Sequence, residues 1–371
     1  MPNNFIRNVL IKTLILFLII NLIFVGFYQS DHSGSISLYN TVFPGRPRFP
    51  FGESPQTAYN FSLNNVNAMY ASHEINNNPG EETFKVLVLG DSSIWGTLLK
   101  PEETLSGLLN AANIQTCEGQ SIRFYNLGYP TISLTKDLMV LEQSLQYDPD
   151  LILWPMTLEA FPAHKQLASP LAANNLNRIQ ALNNQLSLGF IESDLIADKT
   201  FWDKTIVGSR RELADLIRLQ LYGVMWAATG IDQDYPEDFT PAAIDLESDT
   251  DYYSWAGPTF PPDALSFLVL DGAQRLLADT EFLIINEPML ISNGQNSEIQ
   301  YNFFYPRWAY DQYRVLLSDY TTLNQIPYLD AWDMIPMQEF TNSAIHLTPE
   351  GEMIFAEVVK QKILDMNWAC K

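Results

Sequence analysis

Two short stretches hold residue types that together can do nucleophilic chemistry. Phe84–Gly90 (FKVLVLG) is an apolar run, broken only by Lys85, that ends in glycine, and Asp91-Ser92-Ser93 follows it directly. A serine hydroxyl becomes a useful nucleophile when an adjacent base takes its proton. Far downstream, His346 sits in Ser343-Ala344-Ile345-His346-Leu347-Thr348-Pro349-Glu350-Gly351, and imidazole is the side chain most often used for that task. Each stretch alone is a weak signal. Asp and Ser are ordinary caps at a strand-to-helix turn, and a lone loop histidine usually just faces water. The chain has only four histidines, His32, His73, His164 and His346, so any imidazole chemistry comes from this short list. His73 precedes the apolar run and would reach a site only by wrapping over it. His164 follows a later strand and is a candidate substrate contact, and His32 lies in a polar segment near the N-terminus.

The elements that must position these residues follow from the pattern of apolar residues. This mainly apolar run ending in glycine predicts a strand buried on both faces. Pro101-Glu102-Glu103 then opens a helix, with proline and acids in its first turn. Ser121–Gly128 (SIRFYNLG) is a second strand, SLTKDLMVLEQSLQY a second helix and Asp150–Met156 (DLILWPM) a third strand. Glu281–Pro288 (EFLIINEP), the helical RWAYDQYRVLLSDYTTL, a short IPYLD strand and the helix TPEGEMIFAEVVKQKILDM complete the alternation. Such alternation gives a parallel sheet with helices on both faces. Ligand sites in these sheets lie at the carboxyl ends of the strands. Ser92 ends the first strand and His346 precedes the last helix, so both fall on that rim. Two such loops on one rim are a better signal than either alone. Glu287, at the end of the fourth strand, reaches the same rim as a candidate substrate contact or a structural acid.

Composition bounds the rest. The chain has 371 residues, 47% hydrophobic and 12% aromatic, ample for a core. Its 21 bases and 43 acids give a formal charge of −22, which repels phosphate backbones and argues against nucleic-acid binding. Two cysteines exclude cysteine-rich zinc modules and disulfide-dense scaffolds. Val9–Tyr28 is mostly apolar with Lys12 its one charge, and at 1.5 Å per residue these positions span about 30 Å, one bilayer core. Arg7 and Lys12 stand at its start and no acid precedes Asp31, so the positive-inside rule places the N-terminus in the cytoplasm and the remainder outside. A cleaved signal peptide is the competing reading, but FVGFYQSDHS lacks an A-x-A-like site. The chain therefore divides into an anchor over 1–28, a Pro/Asn/Ser-rich stalk or wrap over 29–82, and one α/β domain over 83–371 with an insertion at about 157–279. Within that insertion Arg210–Thr229 is helical and unusually apolar. A buried helix is the favoured reading, ahead of a lid or a membrane-surface helix. The aromatic run Tyr301–Tyr310 more often closes a core than stacks on sugars.

GDSSIWG followed far downstream by HLTPEG resembles the SGNH (GDSL-type) hydrolase superfamily. The resemblance covers Phe84 to Asp365 in order, interrupted by the insertion. It implies a three-layer α/β/α sandwich with a mostly parallel, five-stranded, flavodoxin-like sheet. It places the nucleophile on Ser92 rather than Ser93, the base on His346 and an oxyanion-hole glycine on Gly128. Two positions depart from the family pattern. Where the third block supplies an oxyanion-hole Asn, this chain has Pro155-Met156-Thr157-Leu158-Glu159, and Thr157 is the nearest hydroxyl donor. Asn126, Asn286 and Asn302 are other donors by position. Where the last block has an Asp three residues before the His, this chain has Ser343. Asn342 is adjacent, and Asp330 and Asp333 lie slightly upstream as carboxylates that could orient His346. In the family's usual strand order the helix after the first strand and the last helix share a face. Cys117 and Cys370 follow those helices, and an external compartment permits oxidation, so a Cys117–Cys370 disulfide is expected.

These readings imply an extracytoplasmic esterase, tethered to the plasma membrane by its N-terminal helix, that cleaves O-acyl esters of carbohydrate or another small ester without metal or cofactor. The same site could transfer an acyl group alongside a membrane O-acyltransferase partner. A catalytically silent glycan-binding or envelope-assembly protein is the reading from a different class.

Overall fold

A computed structural model describes residues 3–27, 83–195, 200–230, 238–278 and 280–366, with Leu38, Val42, Phe43, Val66, Tyr70, His73 and Ile75 from the segment between. The first element, α1 (Asn3–Phe27), is one helix. It is long and apolar enough to cross a membrane, a test that an N-terminal signal sequence also meets.

The main sheet takes strands β1 (Thr83–Gly90), β2 (Ser121–Gly128), β3 (Leu151–Met156), β4 (Glu281–Asn286) and β5 (Tyr328–Asp330). Their order is β2-β1-β3-β4-β5 and every pairing is parallel. Alternate residues of β1 serve opposite faces, and both sets are apolar because helices cover both. Val86 and Val88 pack with Leu105, Leu109, Phe355, Val359 and Ile363. These belong to α3 (Leu105–Ala111), which follows the short helix α2 (Ser92–Trp95), and to the last helix, α9 (Pro349–Asp365). Leu87 and Leu89 pack on the other face with Leu138, Ile179, Val269 and Tyr313. Those come from α4 (Leu134–Ser144), α5 (Leu176–Leu186), α7 (Phe267–Leu277) and α8 (Arg307–Leu323). The result is a three-layer α/β/α sandwich in flavodoxin-like strand order.

Register fixes the rim. Gly90 pairs with Gly128, Met156 with Asn286, and Asn286 with Asp330. The carboxyl ends of all five strands therefore lie along one edge.

Val66, Tyr70 and Ile75 are buried in the larger core, and the Tyr70 hydroxyl donates to the Val140 carbonyl at 2.6 Å. This part of the segment before β1 is thus a wrap on the domain. The helix over the insertion, α6 (Arg210–Thr229), differs from the buried helix its composition suggests. Gly223 and Ala227 face inward, while Ile217, Leu221 and Met225 are 60%, 52% and 57% exposed. In the aromatic run, Tyr301, Tyr305 and Tyr310 join the core and Phe303 and Phe304 stay at the surface. Cys117 is disulfide-bonded, whereas Cys370 and His32 lie outside the described residues.

Candidate active site

The turn after β1 is dictated by its glycine and its cap. Gly90 has φ +146°, a conformation side chains rarely adopt, and a Cβ there would meet Ile94 at 2.5 Å. Asp91 caps α2, accepting the Ser93 N–H at 2.8 Å. The Ser92 carbonyl receives the N–H groups of Gly96 and Thr97. Ser92 is thereby held at the tip of the turn. Gly128 lets β2 approach from the side: a Cβ there would lie 2.3 Å from the Trp95 nitrogen. Asn126 ties the two together by donating to the Ile94 carbonyl at 2.7 Å.

The loop carrying His346 is pinned at both ends. Thr341 donates its N–H and its hydroxyl to the His346 carbonyl, and Leu290 N–H donates to Ala344. Thr348 caps α9 with Pro349 in its first turn, as the sequence predicts. This delivers the imidazole onto the nucleophile turn. Ser92 Oγ lies 2.8 Å from His346 Nε2, and His346 Nδ1 lies 2.9 Å from Asn342 Oδ1. An amide oxygen can only accept, so the Nδ1–H donates to Asn342 and Nε2 is left free to take the serine proton. Burial lowers the His346 pKa to about 4, so the imidazole is neutral at pH 7, the form a base requires. Ser93, the other hydroxyl of the motif, points elsewhere and donates to Glu287 Oε2 at 2.6 Å.

The remaining sequence candidates fall in other places. Asp330 does not orient His346: it forms an ion pair with Arg314 at 2.7 Å and accepts from Asn286 at 2.8 Å. Asp333 is exposed, and of the four candidates Asn342 alone contacts the ring, in place of Asp333 or Ser343. Thr157 is fully buried and its hydroxyl lies 3.0 Å from the Tyr305 hydroxyl, so it is walled off from an incoming ester. The Gly128 N–H, the other expected oxyanion donor, is bonded to Asn126 Oδ1 at 2.9 Å. Asn286 lies between Tyr310 and Asp330, and Asn302 donates to Leu290. The bonds that close the turn use the Ser92 carbonyl and the Ser93 N–H, not the Ser92 N–H. His73 is buried, and its bonds go to the backbone rather than to the dyad. It accepts the Ile75 N–H on Nδ1 and donates from Nε2 to the Asn126 carbonyl at 2.7 Å, bracing β2. His164 packs edge-on against Tyr253 and Trp255.

Beneath the turn lies a buried polar network that the apolar patterning does not reveal. Lys136, fully buried, donates to the Gly90 carbonyl at 2.6 Å and pairs with Asp137. Trp154 donates to the same Asp137. Glu287 is buried, and desolvation and nearby Asp91 push its pKa well up. The signal available in the sequence was a Lys-Asp pair inside the apolar helix LTKDLMVL, since charges on a buried face are rarely left unpaired. Among the described residues no group of His, Cys, Asp and Glu is placed to hold a metal ion.

No protein-family model matches this chain, and no curated protein does. Solved structures do. The chain is similar in structure to G-D-S-L lipolytic proteins and acetylesterases. A member of the lipolytic protein G-D-S-L family from Veillonella parvula is 10% identical, with 76% of this chain and 96% of that one covered and a TM-score of 0.35. A carbohydrate acetylesterase family member from Sinorhizobium meliloti is 13% identical, with 76% and 98% covered and a TM-score of 0.33. The inhibitor-bound aryl esterase of M. smegmatis is 11% identical, with 76% and 98% covered and a TM-score of 0.37.

Proposed function

We propose that this protein is a serine esterase of SGNH type, anchored by α1 with its α/β domain outside the plasma membrane, that cleaves O-acyl esters of carbohydrate. The observation that carries the catalytic reading is the 2.8 Å contact between Ser92 Oγ and a neutral His346 Nε2. Ser92 attacks the ester carbonyl as His346 Nε2 takes its proton, and the Ser92 N–H receives the oxyanion. His346 returns the proton to the leaving alkoxide, whose departure leaves an acyl-serine. Water, deprotonated by His346, then attacks the acyl-serine and frees the acid and Ser92. A sugar hydroxyl in place of water makes the same site an acyltransferase, the role in which a membrane O-acyltransferase would be its partner. The imidazolium formed in each step leans on an amide rather than a carboxylate, which sets a modest rate.

The test is fluorophosphonate labelling and aryl acetate hydrolysis by the full chain. Wild type is expected to take one label per chain and to release acetate, and Ser92→Ala and His346→Ala to do neither. A folded wild type that takes no label overturns the catalytic reading and leaves a binding role. Adding a sugar acceptor separates hydrolysis from transfer by product.

A further inference from the structure

The exposed side of α6 has no partner among the described residues and has the composition of a membrane-surface helix. At about 100° per residue, Ala214, Ile217, Leu221, Met225 and Ala228 fall within about a quarter of the helix circumference, and all five are exposed. The turn that leads into the helix adds Phe201, Trp202 and Val207, which are 49%, 70% and 47% exposed. Isolated surface hydrophobics are unremarkable, but a contiguous stripe with an adjoining Trp and Phe marks an interaction surface. Gly223 and Ala227, on the opposite side of the helix, are buried, so the stripe is the outward face of a helix already packed on its other side.

The charge around the stripe selects the occupant. The whole chain is strongly acidic at −22. Between 199 and 229 the balance reverses, with bases Lys199, Lys204, Arg210, Arg211 and Arg218 against acids Asp203, Glu212 and Asp215. Lys204, Arg210 and Arg211 are exposed beside the stripe. Apolar side chains with aromatic and basic neighbours are what an anionic lipid interface binds. Position agrees. The Leu38 N–H donates to Gln220 Oε1 at 2.9 Å, so the chain reaches α6 eleven residues after α1 ends at Phe27. Eleven residues extend at most about 38 Å, which keeps α6 near the point where an anchored chain leaves the bilayer.

We propose that α6 and the turn before it lie on the outer surface of the bilayer, so that the domain is held to the membrane at two places and in one orientation. This rests on reading α1 as an anchor. The experiment uses the full chain in vesicles of phosphatidylcholine and phosphatidylglycerol, domain outward. An NBD fluorophore is attached at Leu221→Cys and, as reference, at Leu323→Cys, a site 82% exposed at the far end of α8. Doxyl-labelled lipid is expected to quench the probe at 221 at least about twofold and to leave 323 unchanged. Ile217→Glu with Met225→Glu should abolish that quenching while aryl acetate hydrolysis stays at the wild-type rate. Equal probe signals at the two sites overturn the proposal. Shielding at 221 that persists in detergent and rises with protein concentration also overturns it, because a second copy then covers the stripe. Carbonate washing tests the anchor separately: a chain that washes off yet shows quenching at 221 loses its anchor and keeps its surface helix.

Discussion

The two halves of the carboxyl rim are built differently from similar residue types. Over β1, the polar groups of Ser92 and His346 meet each other at the edge of solvent, and the base keeps only an amide behind it. Over β3, β4 and β5, Thr157, Asn286 and Asp330 are bonded by Tyr305, Tyr310 and Arg314 from the neighbourhood of α8. Buried polar atoms must find partners, and in the second half those partners come from the scaffold. Position on the rim is thus insufficient to make a residue catalytic. What separates the halves is whether a polar atom's partner belongs to the scaffold or is the other member of the Ser92–His346 pair.

The sharpest way to break this comparison is to remove one hydroxyl from each half. Ser92→Ala is expected to cut aryl acetate turnover by about 10³-fold or more, since the residues of such a unit act together. Thr157→Val should change turnover less than about threefold and cost about 1 kcal/mol of stability through its lost hydrogen bond. A fall of about 10²-fold for Thr157→Val, the loss typical of an oxyanion donor, would show that the wall opens during the reaction.

The amide behind His346 gives the next largest effect. In the proposed mechanism the neutral imidazole is the active form, so kcat/KM should rise with pH through an apparent pKa of about 4 and stay flat above about 6. Asn342→Asp sets a carboxylate 2.9 Å from Nδ1, which favours the imidazolium. The acid limb should move up by about 1 pH unit or more and turnover at pH 8 should increase about tenfold, a part of what a carboxylate contributes in serine proteases. An unchanged pH profile would mean that the ring is oriented by something other than Asn342.

Beneath the reactive half, Ser93 and Glu287 act as scaffold, and their expected effect is smaller. Glu287→Gln keeps an acceptor for the Ser93 hydroxyl and should retain activity within a few-fold. Glu287→Ala leaves that hydroxyl unpaired and should lower both Tm and turnover, by about 1–3 kcal/mol in stability. If Glu287→Gln were as damaging as Glu287→Ala, the carboxyl proton itself would be in use.

Much of the fold is legible in the sequence alone. Short apolar runs marked all five strands, and capping residues at Thr348 and Pro349 located the last helix. The dyad followed because two loops on one rim had one Ser motif and one His between them. The rest depended on distance across the chain. Nothing in Pro155–Glu159 announces that Tyr305, almost 150 residues on, covers Thr157. Asp330 looked available because Arg314 and Asn286 are its partners only once α8, β4 and β5 pack together. The exposed face of α6 was hidden for a related reason: an apolar helix reads the same whether protein or lipid covers it.

Glu352 tests the scaffold through stability alone. It lies in α9, is 2% exposed, and has a side-chain oxygen without a partner, and burial raises its pKa to about 8. In an unfolded chain the group titrates near 4.5. Below that value both states hold the proton and the fold keeps its full stability. As pH rises the unfolded chain loses its proton first, so stability falls, and the decline ends once the folded group ionises above about 8. Glu352→Gln removes this dependence. At pH 5 its Tm should sit close to wild type, and at pH 8.5 it should exceed wild type by several degrees, since a tenfold change in proton affinity on folding corresponds to about 1.4 kcal/mol. Aryl acetate turnover should be unchanged at both values. Thermal melts of the two proteins across that range decide it: parallel curves would mean that Glu352 is solvated and that the layer under the rim admits water.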